Sequence, residues 1–229
     1  MKPELRRVGN TQSPVVVIDD FSGEADEVAA MADALAPFPP INSANYYPGV
    51  RRIIAPGDAA ASSYVDGLCR RAAQFIAGAF EVDSFSLLEA SFSIVTAKPS
   101  ELRMPQRAPH FDSTDQKYFA LLHYLRVPQS SGTAFYRQRS TGIERVTEAN
   151  ADRFVATAKI EVAQLPGDTG YIQGSDPYFE QIGTVEAIAD RLIIYQGSLL
   201  HSGIIPPGML LSADPRVGRL TANIFVRGH

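Results

Sequence analysis

The stretch RAPHFDSTDQKYFALLHYL, Arg107 to Leu125, decides how the rest of the chain is read. It sets His110 two residues before Asp112, then runs into aromatic and aliphatic residues that predict a strand. Successive side chains of an extended segment point to opposite faces, so His110 and Asp112 share one. An imidazole and a carboxylate converging from one segment are two of the three donors of a common metal site. The spacing also suits a polar loop in which Asp112 makes a turn. A third ligand would separate the two readings.

Of the other histidines, His201 is the candidate. It ends the strand-like run LIIYQGSLLHSG, and the small Ser202 and Gly203 follow it. His123 lies inside the apolar FALLHYL and reads as a strand residue, and His229, the last residue, is expected to fray. A further pair comes from GRLTANIFV, where Arg219 and Thr221 are two apart and therefore on one face. An arginine inside an apolar strand needs an anionic partner, and its planar fork suits a carboxylate. The alternative is an arginine facing outward on an edge strand.

The bulk properties narrow the function. A chain of 229 residues, 45% hydrophobic and 20% charged, is expected to form one soluble domain with a sizeable core. The net charge of -4 and a pI near 5.6 argue against nucleic-acid binding and against anionic membranes. Cys69 is the single cysteine, so there is no intrachain disulfide and no cysteine-rich zinc site. It lies in a helical stretch and reads as a small hydrophobe. The opening MKPELRRVGNTQS lacks the apolar core of a signal peptide, and the expected location is cytoplasmic.

The element pattern places helices first and strands after. PVVVIDDF predicts a strand, SGEADEVAAMADAL a helix capped by Ser22, and DAAASSYVDGLCRRAAQFIAGAF a second helix with Tyr64, Leu68, Ala72 and Ile76 four apart. PFPPINSANYYPGVR is a Pro-rich connection. From residue 83 onward FSLLEASFSIVTA, KYFALLHYLRV, GTAFYRQRS, GDTGYIQG, PYFEQIGTVEA, DRLIIYQGSLLHSG and GRLTANIFVRG predict strands. ERVTEANADRFVATAKIEV, residues 144–162, predicts a helical insertion. The whole reads as one domain, residues 1–82 supporting a sandwich or barrel of residues 83–229.

The order His110-x-Asp112, then His201, then Arg219-x-Thr221 resembles the Fe(II)/2-oxoglutarate-dependent dioxygenases. VVVIDDFSGEADEVAAMADAL is similar to the first strand and helix of the prolyl-hydroxylase-like branch. LLHYLRV followed by SGTAFYR is similar to its strand carrying a 2-oxoglutarate-binding tyrosine and the Gly-rich hairpin after it. The resemblance runs from Pro14 to Arg227 and implies a mainly β fold with flanking helices, a double-stranded β-helix of the jelly-roll or cupin-like kind. It implies Fe(II) on His110, Asp112 and His201, 2-oxoglutarate held by Arg219, Thr221 and Tyr124, and O2 as oxidant. The superfamily's halogenases have a small residue where Asp112 stands, so the resemblance implies an oxidoreductase of hydroxylase type. The interval from His201 to Arg219 is longer than usual for the family, through IIPPGMLLSADPRVG, which leaves Arg216 and Arg227 as alternatives.

For the substrate, NSANYYPGVRR, residues 42–52, is expected to wall the entrance, with Tyr46, Tyr47 and Arg51 as contacts. The alternative is a structural turn whose tyrosines pack on the barrel. Arg51 and Arg52 together would suit an amino-acid carboxylate or an acidic peptide, and the residues do not separate a free small molecule from a protein side chain. Two other functions compete. One is a cupin-like metal enzyme without 2-oxoglutarate, whose sites gather more histidines early in the motif than the one offered here. The other is a non-catalytic binding module on the same fold, against which the intact set of ligands and arginine argues.

Overall fold

β-Branched and aromatic runs with both faces apolar demand cover on both sides, and the computed structural model supplies it; residues 1–40, 46–167 and 169–229 are described. The strands are β1 (Lys2–Val8), β2 (Ser13–Asp19), β3 (Gly49–Ile53), β4 (Phe85–Val95), β5 (Tyr118–Arg126), β6 (Gly132–Gln138), β7 (Phe179–Glu186), β8 (Leu192–Gln196), β9 (His201–Ile204) and β10 (Leu220–Gly228). The helices are α1 (Ala25–Ala34), α2 (Ala59–Phe80) and α3 (Ala151–Val162). Seven strands form one antiparallel sheet in the order β1-β2-β8-β5-β10-β4-β3, and β7-β6-β9 form a second. The fold is mainly β with few helices. No helix among the described residues is long and apolar enough to cross a membrane.

Strand alternation assigns each side chain of the large sheet to one of two cores. Val16, Ile18, Leu121, Leu125, Leu192 and Ile194 pack under α1 and α2, against Val28, Val65, Leu68 and Ile76. The residues between them, Val15, Val17, Ala120, Tyr124, Ile193 and Tyr195, face Phe135 and Val185 of the small sheet. His123 falls on the helix side. It is fully buried, with Nδ1 at 2.8 Å from the Tyr64 hydroxyl and Nε2 at 3.0 Å from Asp190 Oδ1. Asp190 also accepts hydrogen bonds from the Ser22 and Gly23 N–H groups at 2.9 and 2.7 Å and from the Ser22 hydroxyl.

The structure corrects the sequence reading in several places. Ser22 does not cap α1, whose N-cap is Glu24; its hydroxyl is engaged by Asp190. β1 forms from the charged KPELRRV because it pairs along its whole length with β2, and β3 forms at the end of the Pro-rich connection by pairing with β4. The described part of GDTGYIQG is irregular and makes no strand. Helix α3 begins at Ala151, because Glu144 to Val146 are drawn into the sheet region instead. There Glu144 accepts the Asn10 and Thr11 N–H groups at 3.0 and 2.9 Å, and Val146 N–H donates to Ser198 O at 2.7 Å. LIIYQGSLLHSG is not one strand. It turns over Gly197–Leu200, so His201 opens β9 on the opposite sheet.

Candidate metal centre

Two short segments carry the three donors. Residue 112 is held by its N–H, which donates to Gly197 O at 2.7 Å. A Cβ at position 197 would lie 2.6 Å from Tyr118 Cδ1 and 3.1 Å from Asp112 Cβ, so this approach requires glycine. His110 and His201 exchange both backbone hydrogen bonds, at 2.9 and 2.8 Å, in one antiparallel bridge. Their rings lie 4.3 Å apart between centroids. His201 Nδ1–H donates to Leu199 O at 2.8 Å, which fixes the tautomer and leaves the Nε2 lone pair free. That Nε2 is 3.6 Å from Asp112 Oδ2, and His110 Nε2 is 3.8 Å from Asp112 Oδ1. All three donor atoms lie within 4.8 Å of one another.

The electrostatics of the cluster suit a cation. Burial, aided by His201, pushes the His110 imidazole well below its ordinary value and keeps its lone pair unprotonated. Burial also raises the Asp112 carboxyl above the ordinary carboxylate value, although His201 and Arg51 pull the other way. Two imidazole nitrogens and a carboxylate short of positive charge are the donor set of a divalent transition metal.

The donors open into a cavity of about 750 Å³. The strand register sets Arg51, Ser93, Thr221 and Tyr124 side by side across β3, β4, β10 and β5. Arg219 stands one residue before β10, not inside it. It is 5% exposed and packs over the Tyr124 ring at 5.6 Å. Its Nη2 donates to Gly132 O at 3.3 Å, its buried Nε has no partner, and it pairs with no carboxylate among the described residues. Arg216 and Arg227 are exposed and paired, with Asp214 at 3.6 Å and Asp115 at 2.9 Å.

The remaining expected residues divide. Tyr47 lines the cavity, and its buried hydroxyl has no partner among the described residues; burial pushes it up to about 12 despite Arg219 and Arg51. Tyr124 does not reach the cavity wall. Its hydroxyl is 2.7 Å from Thr133 Oγ1, and Thr133, which the sequence reading missed, lines the cavity in its place. Thr221 lines the cavity but donates to Asn223 Oδ1 at 2.8 Å. Tyr46 packs against His110 with the rings tilted and 4.8 Å apart, its hydroxyl on the Pro105 and Ala108 carbonyls, so it braces the His110 segment. Arg51 lines the cavity but is paired with Glu89 at 2.5 Å and bonded to Ser91 Oγ at 2.8 Å. Arg52 is paired with Asp58 at 2.9 Å. The expected cationic wall is therefore neutralised. Asn42 to Asn45 of the proposed entrance loop lie outside the described residues.

A family model with the description "Family of unknown function (DUF6445)" matches residues 1–226. The chain belongs to the DUF6445 family. No protein of curated function matches the sequence. Three solved structures are similar to this DUF6445 chain. The non-heme alpha ketoglutarate dependent epimerase SnoN from nogalamycin biosynthesis is 15% identical with a TM-score of 0.58, over 95% of this chain and 80% of that one. A Pseudomonas putida prolyl-4-hydroxylase is 16% identical with a TM-score of 0.51, over 95% and 94%. HygX from Streptomyces hygroscopicus, with nickel and 2-oxoglutarate bound, is 14% identical with a TM-score of 0.53, over 94% and 83%. At these identities the likeness is one of fold.

Proposed function

We propose that this DUF6445 chain is a non-haem Fe(II)- and 2-oxoglutarate-dependent oxygenase of hydroxylase type. Its single domain is read as a double-stranded β-helix, the small sheet extended at one edge by the His110 segment. His110, Asp112 and His201 hold the iron. One observation carries the reading: a buried guanidinium without a counter-ion among the described residues shares a cavity with a cluster of two imidazoles and a carboxylate. Either feature alone has a structural explanation. Together they ask for a metal and an anion within reach of each other.

Bound there, Fe(II) and 2-oxoglutarate supply O2 activation and the oxidation of a C–H bond. The chain's own residues position and shield. Arg219 receives the far carboxylate of 2-oxoglutarate with its free Nε and fork, and the Tyr47 hydroxyl donates beside it. Thr133 and Thr221 line that end of the cavity. Tyr124 acts from behind, through Thr133 and by carrying the guanidinium on its ring. The Leu199 carbonyl orients His201, and Tyr46 holds the segment that carries His110. Asp112 fills the position that a halide would need, which favours hydroxylation.

The test is metal analysis with a succinate-release assay in Fe(II), ascorbate and 2-oxoglutarate. Anaerobic Fe(II) with 2-oxoglutarate is expected to give a weak visible band. His110→Ala, Asp112→Ala and His201→Ala should each lose bound iron and the band. Unchanged metal content in all three would refute the assignment, and chloride-dependent chlorination by the unaltered protein would overturn the hydroxylase reading.

A further inference from the structure

Resting on that reading, we propose that the substrate is a compact small molecule with an aromatic or alicyclic body and at most one negative charge. It lies against the apolar face of α3 rather than threading through as a peptide.

Volume comes first. A cavity of about 750 Å³ exceeds what a five-carbon diacid needs and falls within the roughly 300–1,000 Å³ of sites for drug-sized ligands. The space beyond the donors is walled by Phe111, Phe154, Val155, Ala158 and Val162, with Met104 at the rim. Phe111 and Phe154 meet edge to face at 5.7 Å between centroids, which gives the wall a fixed aromatic corner. Across the cavity stand Leu122, Tyr118 and Phe225.

Charge comes second. The charged residues lining the cavity are Arg51, Lys159, Arg219, Glu89 and Asp112, besides the two histidines. Arg51 and Glu89 neutralise each other at 2.5 Å, Asp112 belongs to the metal and Arg219 to the cosubstrate. Among the described residues that line the cavity, Lys159, exposed on α3, is the one charge left over. A polyanionic or polycationic substrate would find no matching partners among them.

Hydrogen bonding comes third. An extended peptide brings a backbone donor and acceptor at nearly every residue and needs partners for them. Of the α3 residues that line the cavity, Phe154, Val155, Ala158 and Val162 have no side-chain donor or acceptor, and only Lys159 carries one. The α3 lobe therefore selects by shape and apolar contact.

The test uses 8-anilino-1-naphthalenesulfonate, one negative charge on an aromatic body, with the anaerobic full-length protein loaded with Fe(II) and 2-oxoglutarate. Saturable binding at one site is expected, displaced by neutral 2-naphthalenemethanol and not by a triaspartate or a prolyl peptide. Val155→Glu places a carboxylate in the lobe and should weaken the probe at least about tenfold, with iron content and the 2-oxoglutarate band retained. If that variant does not fold, Ala158→Phe fills the lobe without charge and should exclude the probe in the same way. A band without probe binding, or displacement by the peptides, overturns this proposal and leaves the oxygenase reading standing. Lobe-dependent probe binding without the band upholds the lobe and sinks the oxygenase reading.

Discussion

Replacing Arg219 by methionine separates a ligand-binding arginine from a structural one, because the two roles move the stability of the free protein in opposite directions. In the free protein the guanidinium is 5% exposed, donates one long hydrogen bond to Gly132 O at 3.3 Å, and has an Nε without a partner among the described residues. A buried cation without a counter-ion is a net cost, and an apolar side chain of similar length removes it. Arg219→Met is therefore expected to leave the melting temperature of the free protein unchanged or raised. The loss falls on 2-oxoglutarate. A charge-assisted hydrogen bond contributes about 1.5–3 kcal/mol, so affinity should fall roughly 10- to 150-fold. At a concentration 100 times the wild-type Kd, the cosubstrate stabilises the protein by about 2.7 kcal/mol, and at the weakened affinity by only about 0.3–1.4 kcal/mol. For a chain of this size, about 2–4 °C per kcal/mol turns a shift of about 5–11 °C into one of about 1–6 °C. Anaerobic thermal melts across a 2-oxoglutarate titration, with Fe(II) present, read both effects together. Arg219→Lys should recover part of the shift, since charge survives without the fork. Arg216→Met and Arg227→Met should behave as wild type, being exposed and paired elsewhere. A free Arg219→Met protein that melts well below wild type yet keeps the full 2-oxoglutarate shift would refute the reasoning.

Two further outcomes follow from other parts of the molecule. Tyr47→Phe removes an unpartnered buried hydroxyl, so it should not destabilise the free protein. It should raise the apparent KM for 2-oxoglutarate by roughly 2- to 13-fold, the equivalent of about 0.5–1.5 kcal/mol; an unchanged KM removes Tyr47 from that end of the site. Asp190→Asn weakens the hydrogen bonds to His123, Ser22 and Gly23 and should lower the melting temperature at neutral pH by about 3–12 °C. Burial raises this carboxyl, but those hydrogen bonds outweigh it and hold its value well below 3.8. The stabilisation is thus fully present above the ordinary carboxyl value and is lost as pH falls through the lowered one. The gap between wild type and variant should close in acid, and a gap independent of pH would assign the effect to packing.

What was legible in the sequence was whatever repeats every two residues. His110 with Asp112, and Arg219 with Thr221, are spaced so that extended backbone alone puts each pair on one face, whatever the rest of the fold does. His123 and Tyr124 show where that logic stops. Alternation says that neighbours face opposite ways, but which one faces inward depends on α1 and α2 covering one side of the large sheet. The turn over Gly197–Leu200 was illegible for a related reason. Leu192 to Ile194 and Leu199 to Leu200 are all buried, so the apolar runs on either side of Gln196-Gly197-Ser198 read as one strand although the chain changes sheet between them. Arg51 lines the cavity, and its partner Glu89 was not legible because the two meet only through the pairing of β3 with β4.

The substrate wall lay deeper still. Phe154, Val155, Ala158 and Val162 recur at helical spacing, and a helix of that pattern is most simply read as covering a core. In the folded chain the same face does both. Phe154 and Val162 are buried against Ala108, Tyr136 and Leu200, while the flanking Val155 and Ala158 stay partly open on the cavity. Apolar residues that pack and apolar residues that receive a substrate are chemically identical in a sequence, and only an unfilled volume beside them tells the two apart. The donors proposed for metal and cosubstrate stand out because a polar group in an apolar strand demands a partner. A wall that recognises by shape demands nothing locally. Substrate preference in this protein should accordingly follow changes in α3 and at Met104, with the triad and Arg219 left untouched.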